Sequence, residues 1–118
     1  MHGVGLDLLD IARLERALER RPRLAGRLFS EGELAYAAGH ARPGQHLAAR
    51  FCAKEAVTKA LALDVLRPRE IEVVRDGGGR PSVALTGVAA ARAEELGTTV
   101  LLTLTHTGMT AGAVAVAA

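Results

Sequence analysis

Lys54, Glu55 and Lys59 place a carboxylate between two ammonium groups within six residues, in the run Arg50-Phe51-Cys52-Ala53-Lys54-Glu55-Ala56-Val57-Thr58-Lys59-Ala60. The run contains no Gly or Pro and is rich in strong helix formers, and Leu47, Phe51, Val57 and Leu61 supply an apolar component, so it reads as a helix. Glu55 and Lys59 then lie one turn apart on one face, with Lys54 beside them. An acid placed there can hold a divalent cation, and the lysines can hold phosphate oxygens that share the cation. The plainer reading is a surface ion pair between side chains one turn apart.

Two further polar groups stand where the local pattern calls for apolar ones. Asp7 interrupts Gly3-Val4-Gly5-Leu6-Asp7-Leu8. Buried without a partner, a carboxylate costs several kcal/mol, so it needs a cation or hydrogen-bond donors, unless it is merely a turn acid at the strand end. Asp7 and Glu55 together would suit Mg²⁺, which takes one or two carboxylates and completes its shell with phosphates and water. His106 follows Val100–Leu104 among the hydroxyls of Thr103, Thr105 and Thr107, where it can donate to phosphate oxygens or bond to backbone as a turn histidine. Gly77-Gly78-Gly79 has neither the Walker spacing nor a dinucleotide fingerprint and reads as a hairpin turn.

The elements that must position these groups follow from pattern and punctuation. Val4–Leu9 reads as a short buried strand. Asp10 is placed to cap a helix from Ile11 to Arg21, and Pro22 ends or kinks it before a short continuation to Arg27. Ser30 and Glu33 match a capping box for a helix to about Ala38. A loop over Gly39–Gly44 precedes the long helix, which runs to about Leu63. Ile71–Arg75 and Ser82–Leu85 form a hairpin around Asp76–Gly79. Thr86 opens a helix stopped by Gly97, and strands over Thr99–Thr105 and Ala111–Val116 follow, around a turn at Gly108. The expected fold is α+β, helices packed on a small antiparallel sheet, in a single domain over residues 1–118. The last strand is apolar on both faces, so it is either covered on both sides or meets another subunit.

Composition removes several classes of function. Of the 118 residues 49% are hydrophobic, yet the aromatics are only two Phe and one Tyr, so the core must be built of Leu, Val and Ala. That scarcity argues against a platform that stacks single-stranded bases, and a net charge of +2 is too weak to imply nucleic acid. Arg13, Arg16, Arg20, Arg21, Arg23 and Arg27 nonetheless outnumber Glu15 and Glu19 along the first helix. Planar guanidinium forks suit an acidic protein or a phosphate backbone, and a solvated charged face is the plain alternative. The lone Cys52 forbids an intrachain disulfide and reads as a buried helix residue. With no charged-then-apolar leader and no apolar run of about 18 residues, a soluble cytoplasmic protein without a membrane partner is expected.

In combination these motifs resemble the holo-acyl-carrier-protein synthase family, the short branch of the 4′-phosphopantetheinyl transferases. The resemblance runs from Val4 to Val116. It is carried by Gly3–Asp7, by Arg50–Ala56 with Lys59, by Ile71-Glu72-Val73, by Gly79-Arg80-Pro81 and by Leu104-Thr105-His106-Thr107. It implies the phosphopantetheinyl transferase fold, with Mg²⁺-dependent transfer of the phosphopantetheine arm of coenzyme A to a serine of an apo acyl carrier protein in fatty acid or polyketide synthesis. Adenosine 3′,5′-bisphosphate is the other product. It also implies a homotrimer with active sites between subunits.

By the same resemblance Asp7 and Glu55 are the metal ligands, and Lys59 with Lys54 meets the coenzyme A phosphates. Arg50 and His106 line that pocket, Arg80 and Pro81 lie at the adenine end, and Arg13, Arg20, Arg23 and Arg27 dock the acidic carrier. Asp7 or Glu55, through a metal-ordered water, is the expected base for the serine. The chain departs from the family at Ala62-Leu63-Asp64, where glycines are usual, and at Thr103, Arg80 and Thr110. The rival readings are a non-catalytic module binding coenzyme A or a nucleotide, and a nucleic-acid binder using the arginine helix.

Overall fold

In the computed structural model, residues 1–75 and 79–118 are described, so the expected turn at Asp76–Gly79 lies, Gly79 excepted, outside the described residues. The chain folds as β1 (Gly3–Asp10), α1 (Ile11–Arg20), α2 (Leu24–Leu28), α3 (Glu31–Ala38) and α4 (Pro43–Ala60). A short 3₁₀ turn over Pro68–Glu70 leads to β2 (Ile71–Arg75) and β3 (Pro81–Leu85), then α5 (Gly87–Leu96), β4 (Val100–His106) and β5 (Thr110–Ala117). The α+β expectation holds, but the antiparallel strands fall into two sheets: β1-β5-β4, and β2 paired with β3.

The long helix α4 is the centre of the core. Ala48, Ala49, Cys52, Ala53, Ala56, Val57 and Ala60 are buried on it, and Ala111, Ala113, Ala115 and Ala117 of β5 are buried against it. Small side chains on both partners let helix and sheet approach closely, as the scarcity of aromatics requires. β1 comes nearer still. A Cβ on Gly5 would collide with the Ala56 carbonyl and one on Gly3 with that of Ala60, so neither position tolerates a side chain while β1 lies where it does. The Gly-x-Gly spacing is thus a docking device for β1 on α4.

Only one face of the three-stranded sheet is covered. Val4, Leu6 and Leu8 are each more than half exposed, which corrects the reading of β1 as a buried strand: Gly3, Gly5, Asp7 and Leu9 face inward, and the alternate residues face out. Leu101 of β4 is likewise exposed, beside Val116 of β5. Within one chain β5 is therefore covered on one side.

Other boundaries moved for identifiable reasons. Pro43 opens α4, so the loop is shorter than expected and Gly44 lies inside the helix, where a side chain would overlap Glu15. The chain leaves α1 at Arg21 (φ −126°, ψ 90°), so Arg23 and Arg27 do not continue its face. The capping box at Ser30 and Glu33 forms in full. Asp10 and Thr86 occupy N-cap positions without side-chain capping bonds; at α5 the Glu70 carboxylate instead accepts from Ala89 N at 3.1 Å. Gly97 closes α5 in the left-handed conformation at φ 63°.

The end of α4 bears on the missing family glycines. Leu63 N donates to Thr58 O at 3.0 Å and Ala62 N to Lys59 O at 3.1 Å, the bond pair of a Schellman cap. Ala62 takes the left-handed position at φ 53°, where glycine is usual. The backbone of the turn is kept, and an alanine bears its strain.

Candidate active site

The close packing of β1 on α4 brings the site together. Asp7 follows Gly5 on the same face of β1 and meets the side of α4 that carries Glu55 and Lys59. Lys59 Nζ donates to Leu6 O at 2.8 Å and lies 3.4 Å from Asp7 Oδ1. Glu55 is half-buried and takes no part in the ion pairs found among the described residues. Its pKa is raised, first by burial and then by the Asp7 carboxylate, with Lys59 opposing. A carboxylate whose ionisation a neighbouring carboxylate disfavours marks a site that a cation relieves. Cys52, beneath them, is fully buried; burial above all, with Asp7 and Glu55 adding to it, pushes its thiol up to about 12. That thiol is inert.

Lys54 is not part of this group, a correction to its expected contact with phosphate. It follows the helix about 100° round from Glu55 and points into the core. There Nζ lies 2.9 Å from Glu33 Oε1 and donates to Pro68 O at 2.7 Å and Ile71 O at 2.5 Å. Both side chains of the pair are at most 1% exposed. Glu33 also accepts from Ser30 N and Val73 N, each at 2.8 Å. The pair ties α4 to α3 and β2, and burial pushes the Lys54 pKa down against the opposing pull of Glu33. The capping box gave sight of Glu33 only as a local residue.

Arg50 and His106 belong to a neighbouring cluster. The Arg50 guanidinium lies 4.0 Å over the Tyr36 ring, the residue is 2% exposed, and its Nε has no hydrogen-bond partner among the described residues. With Gly32, Tyr36, Glu72 and Val73–Arg75 it lines a cavity of about 220 Å³. His106 is exposed at the end of β4, its ring 5.7 Å from that of His46. His46 and His40 were missed in the sequence, where their only signal is to straddle the helix start at Pro43. Arg80 and Pro81 line a separate groove of about 430 Å³ with Ser82 and Val100–Thr103, and none of Asp7, Glu55, Lys59 or His106 lines it. Arg13, Arg20, Arg23 and Arg27 are all exposed, and none enters an ion pair found among the described residues.

Sequence and fold comparisons give the chain its family. Residues 3–113 match the family model described as the 4′-phosphopantetheinyl transferase superfamily. The chain is 46% identical to the holo-[acyl-carrier-protein] synthase of Moorella thermoacetica, over 94% of this chain and 89% of that one. It is 47% identical to the synthase of the same name from Streptomyces coelicolor, over 98% and 95%. Among solved structures it superposes on a Chronobacterium ammoniagenes synthase–coenzyme A complex with a TM-score of 0.82, at 31% identity over 96% of this chain and 93% of that one. The chain belongs to the 4′-phosphopantetheinyl transferase superfamily and, within it, to the holo-[acyl-carrier-protein] synthases.

Proposed function

We propose that this protein transfers the 4′-phosphopantetheine arm of coenzyme A to a serine of an apo acyl carrier protein. The observation that carries the reading is the meeting of Asp7, Glu55 and Lys59 where β1 crosses α4. In the reaction the serine oxygen bonds to the phosphorus on the pantetheine side of the pyrophosphate. The phosphoanhydride bond breaks, and adenosine 3′,5′-bisphosphate leaves with the electron pair. Lys59 is exposed and held to Asp7 by a weak, solvated pair, so turning its ammonium toward a phosphate oxygen costs little. There it stabilises the charge on the departing phosphate. Arg50 and His106 supply further donors to the phosphates. The serine proton passes to Asp7 or Glu55, directly or through one water.

The two carboxylates fit Mg²⁺: they are hard oxygen donors whose mutual repulsion a divalent cation would relieve. Bound there, Mg²⁺ would supply charge neutralisation across the pyrophosphate. The exposed arginines Arg13, Arg20, Arg23 and Arg27 present guanidinium forks to an acidic carrier. A homotrimer with sites between subunits accounts for two features at once. It would cover the apolar sheet face of Val4, Leu6, Leu8 and Leu101, and would let Arg80 and Pro81 of one chain complete the site of another. No helix among the described residues is long and apolar enough to cross a membrane, and the buried free thiol of Cys52 suits the reducing cytoplasm we assign to it.

The test is incubation with coenzyme A, Mg²⁺ and a panel of apo carriers, followed by intact-mass spectrometry. A gain of one phosphopantetheine arm on a carrier supports the reading. Binding of coenzyme A with every carrier left unmodified would favour the non-catalytic module.

A further inference from the structure

A ladder of titratable rings runs inward from His106. Ring centroids are 5.7 Å apart from His106 to His46, 4.0 Å from His46 to His40 and 4.5 Å from His40 to Tyr36. His40 Nδ1 lies 2.7 Å from Tyr36 O, which assigns that nitrogen its proton. The Arg50 guanidinium covers the Tyr36 ring, and that of Arg75 lies 5.4 Å from the same ring.

The groups around His46 are strongly biased in sign. Facing it are His40 from the α3–α4 connection, His106 from β4, Arg50 from its own helix and Arg75 from β2, together with the ring of Tyr36 from α3. The nearby carboxylates serve elsewhere: Glu33 is bonded to Lys54, and Glu72 accepts from Ser30 Oγ at 2.6 Å. Burial first, and then His40, His106, Arg50 and Arg75, push the His46 pKa down. His46 also sits in the first turn of the 18-residue helix α4, whose dipole disfavours a cation and favours an anion. The buried Nε of Arg50 adds a donor with no acceptor among the described residues. An anion entering here reverses the local field, and the His46 imidazole can then accept a proton more readily.

We propose that His46, held between His40 and His106 in the ladder, couples proton uptake to the binding of polyanionic coenzyme A, so that the pocket draws positive charge from solvent as the phosphates enter. The inference rests on the transferase reading for the identity of the ligand. Its sign is fixed by linkage: protons taken up on binding make affinity rise as pH falls, until His46 of the unliganded protein is itself protonated.

The experiment is calorimetric titration of coenzyme A into the full-length protein with Mg²⁺ near pH 7, in two buffers of different ionisation enthalpy. The dependence of the heat on buffer counts the protons taken up. Protonation of the coenzyme's own phosphate is common to all proteins compared and cancels in the differences. The wild type is expected to take up a fraction of a proton more than His46→Phe, and between about pH 8 and pH 6.5 its affinity should rise roughly threefold more. His40→Gln, which leaves α4 untouched, should show a smaller shift in the same direction. Equal proton uptake in the wild type and both folded variants would overturn the ladder and leave the transferase reading standing. A folded wild type that binds no coenzyme A would overturn both.

Discussion

Lys59 is paired with Asp7 and not with Glu55: its Nζ lies 3.4 Å from Asp7 Oδ1, across two elements, although Glu55 is one helical turn away on the same chain segment. The helical spacing predicts a local pair. The tertiary contact wins because Gly3 and Gly5 let β1 settle onto α4, which brings both the Leu6 carbonyl and the Asp7 carboxylate to the lysine. Glu55 is left beside Asp7 with no ion-pair partner among the described residues, and Lys59 is held loosely enough to serve a substrate.

The opposite holds for Lys54, whose ammonium has three oxygen partners in the core. Lys54→Met leaves the Glu33 carboxylate buried and uncompensated, which costs about 3–5 kcal/mol. Urea unfolding should show this loss, and transfer by the molecules that remain folded should keep its KM for coenzyme A. A variant of wild-type stability with a raised KM would instead put Lys54 on the phosphates.

Ala62 offers a change of the other sign. Its left-handed backbone at φ 53° costs about 1–2 kcal/mol for a residue with a Cβ. Ala62→Gly should therefore raise stability by about 1 kcal/mol, discounted for the greater freedom of glycine in the unfolded chain, and lift the melting temperature by a few degrees. A lower melting temperature would mean that this turn is not strained.

The pair of Glu15 and Arg42 gives a stability signal that depends on pH. Arg42 Nε donates to Glu15 Oε2 at 3.1 Å and its NH2 to Oε1 at 2.9 Å. These bonds hold the Glu15 carboxyl below its ordinary 4.5, against a smaller opposing effect of burial. A depressed carboxylate contributes stability above its unfolded pKa and loses it as pH falls through the folded one. Glu15→Gln should melt below the wild type at neutral pH, and the gap should close in acid, below about pH 4.5. A gap that stayed constant down to about pH 3 would show that the pair does not titrate with folding.

Most elements were legible in the sequence because their signals are local: the Ser30 and Glu33 capping box, Gly97 after α5, and the alternation of Ile71–Arg75. The chemistry of Asp7, Glu55 and Lys59 was legible as residue types that break apolar patterns. What escaped was non-local. No spacing rule turns Lys54 inward to Glu33, moves the cap of α5 from Thr86 to Glu70, or stacks His40 on His46. Each depends on which face of α4 or of the 3₁₀ turn meets which neighbour, a question settled only by packing. Strand alternation could not reveal that one face of β1 stays open, because an exposed and a covered apolar face read alike.

The most direct measurement is intact-mass analysis of an apo carrier incubated with coenzyme A, Mg²⁺ and the Glu55→Ala protein, beside a thermal melt of that protein. Glu55 is half-buried beside a like charge, so its removal should leave the fold in place and even relieve repulsion. The account predicts a folded protein and an unmodified carrier. A Glu55→Ala protein that charges the carrier at the wild-type rate would contradict it.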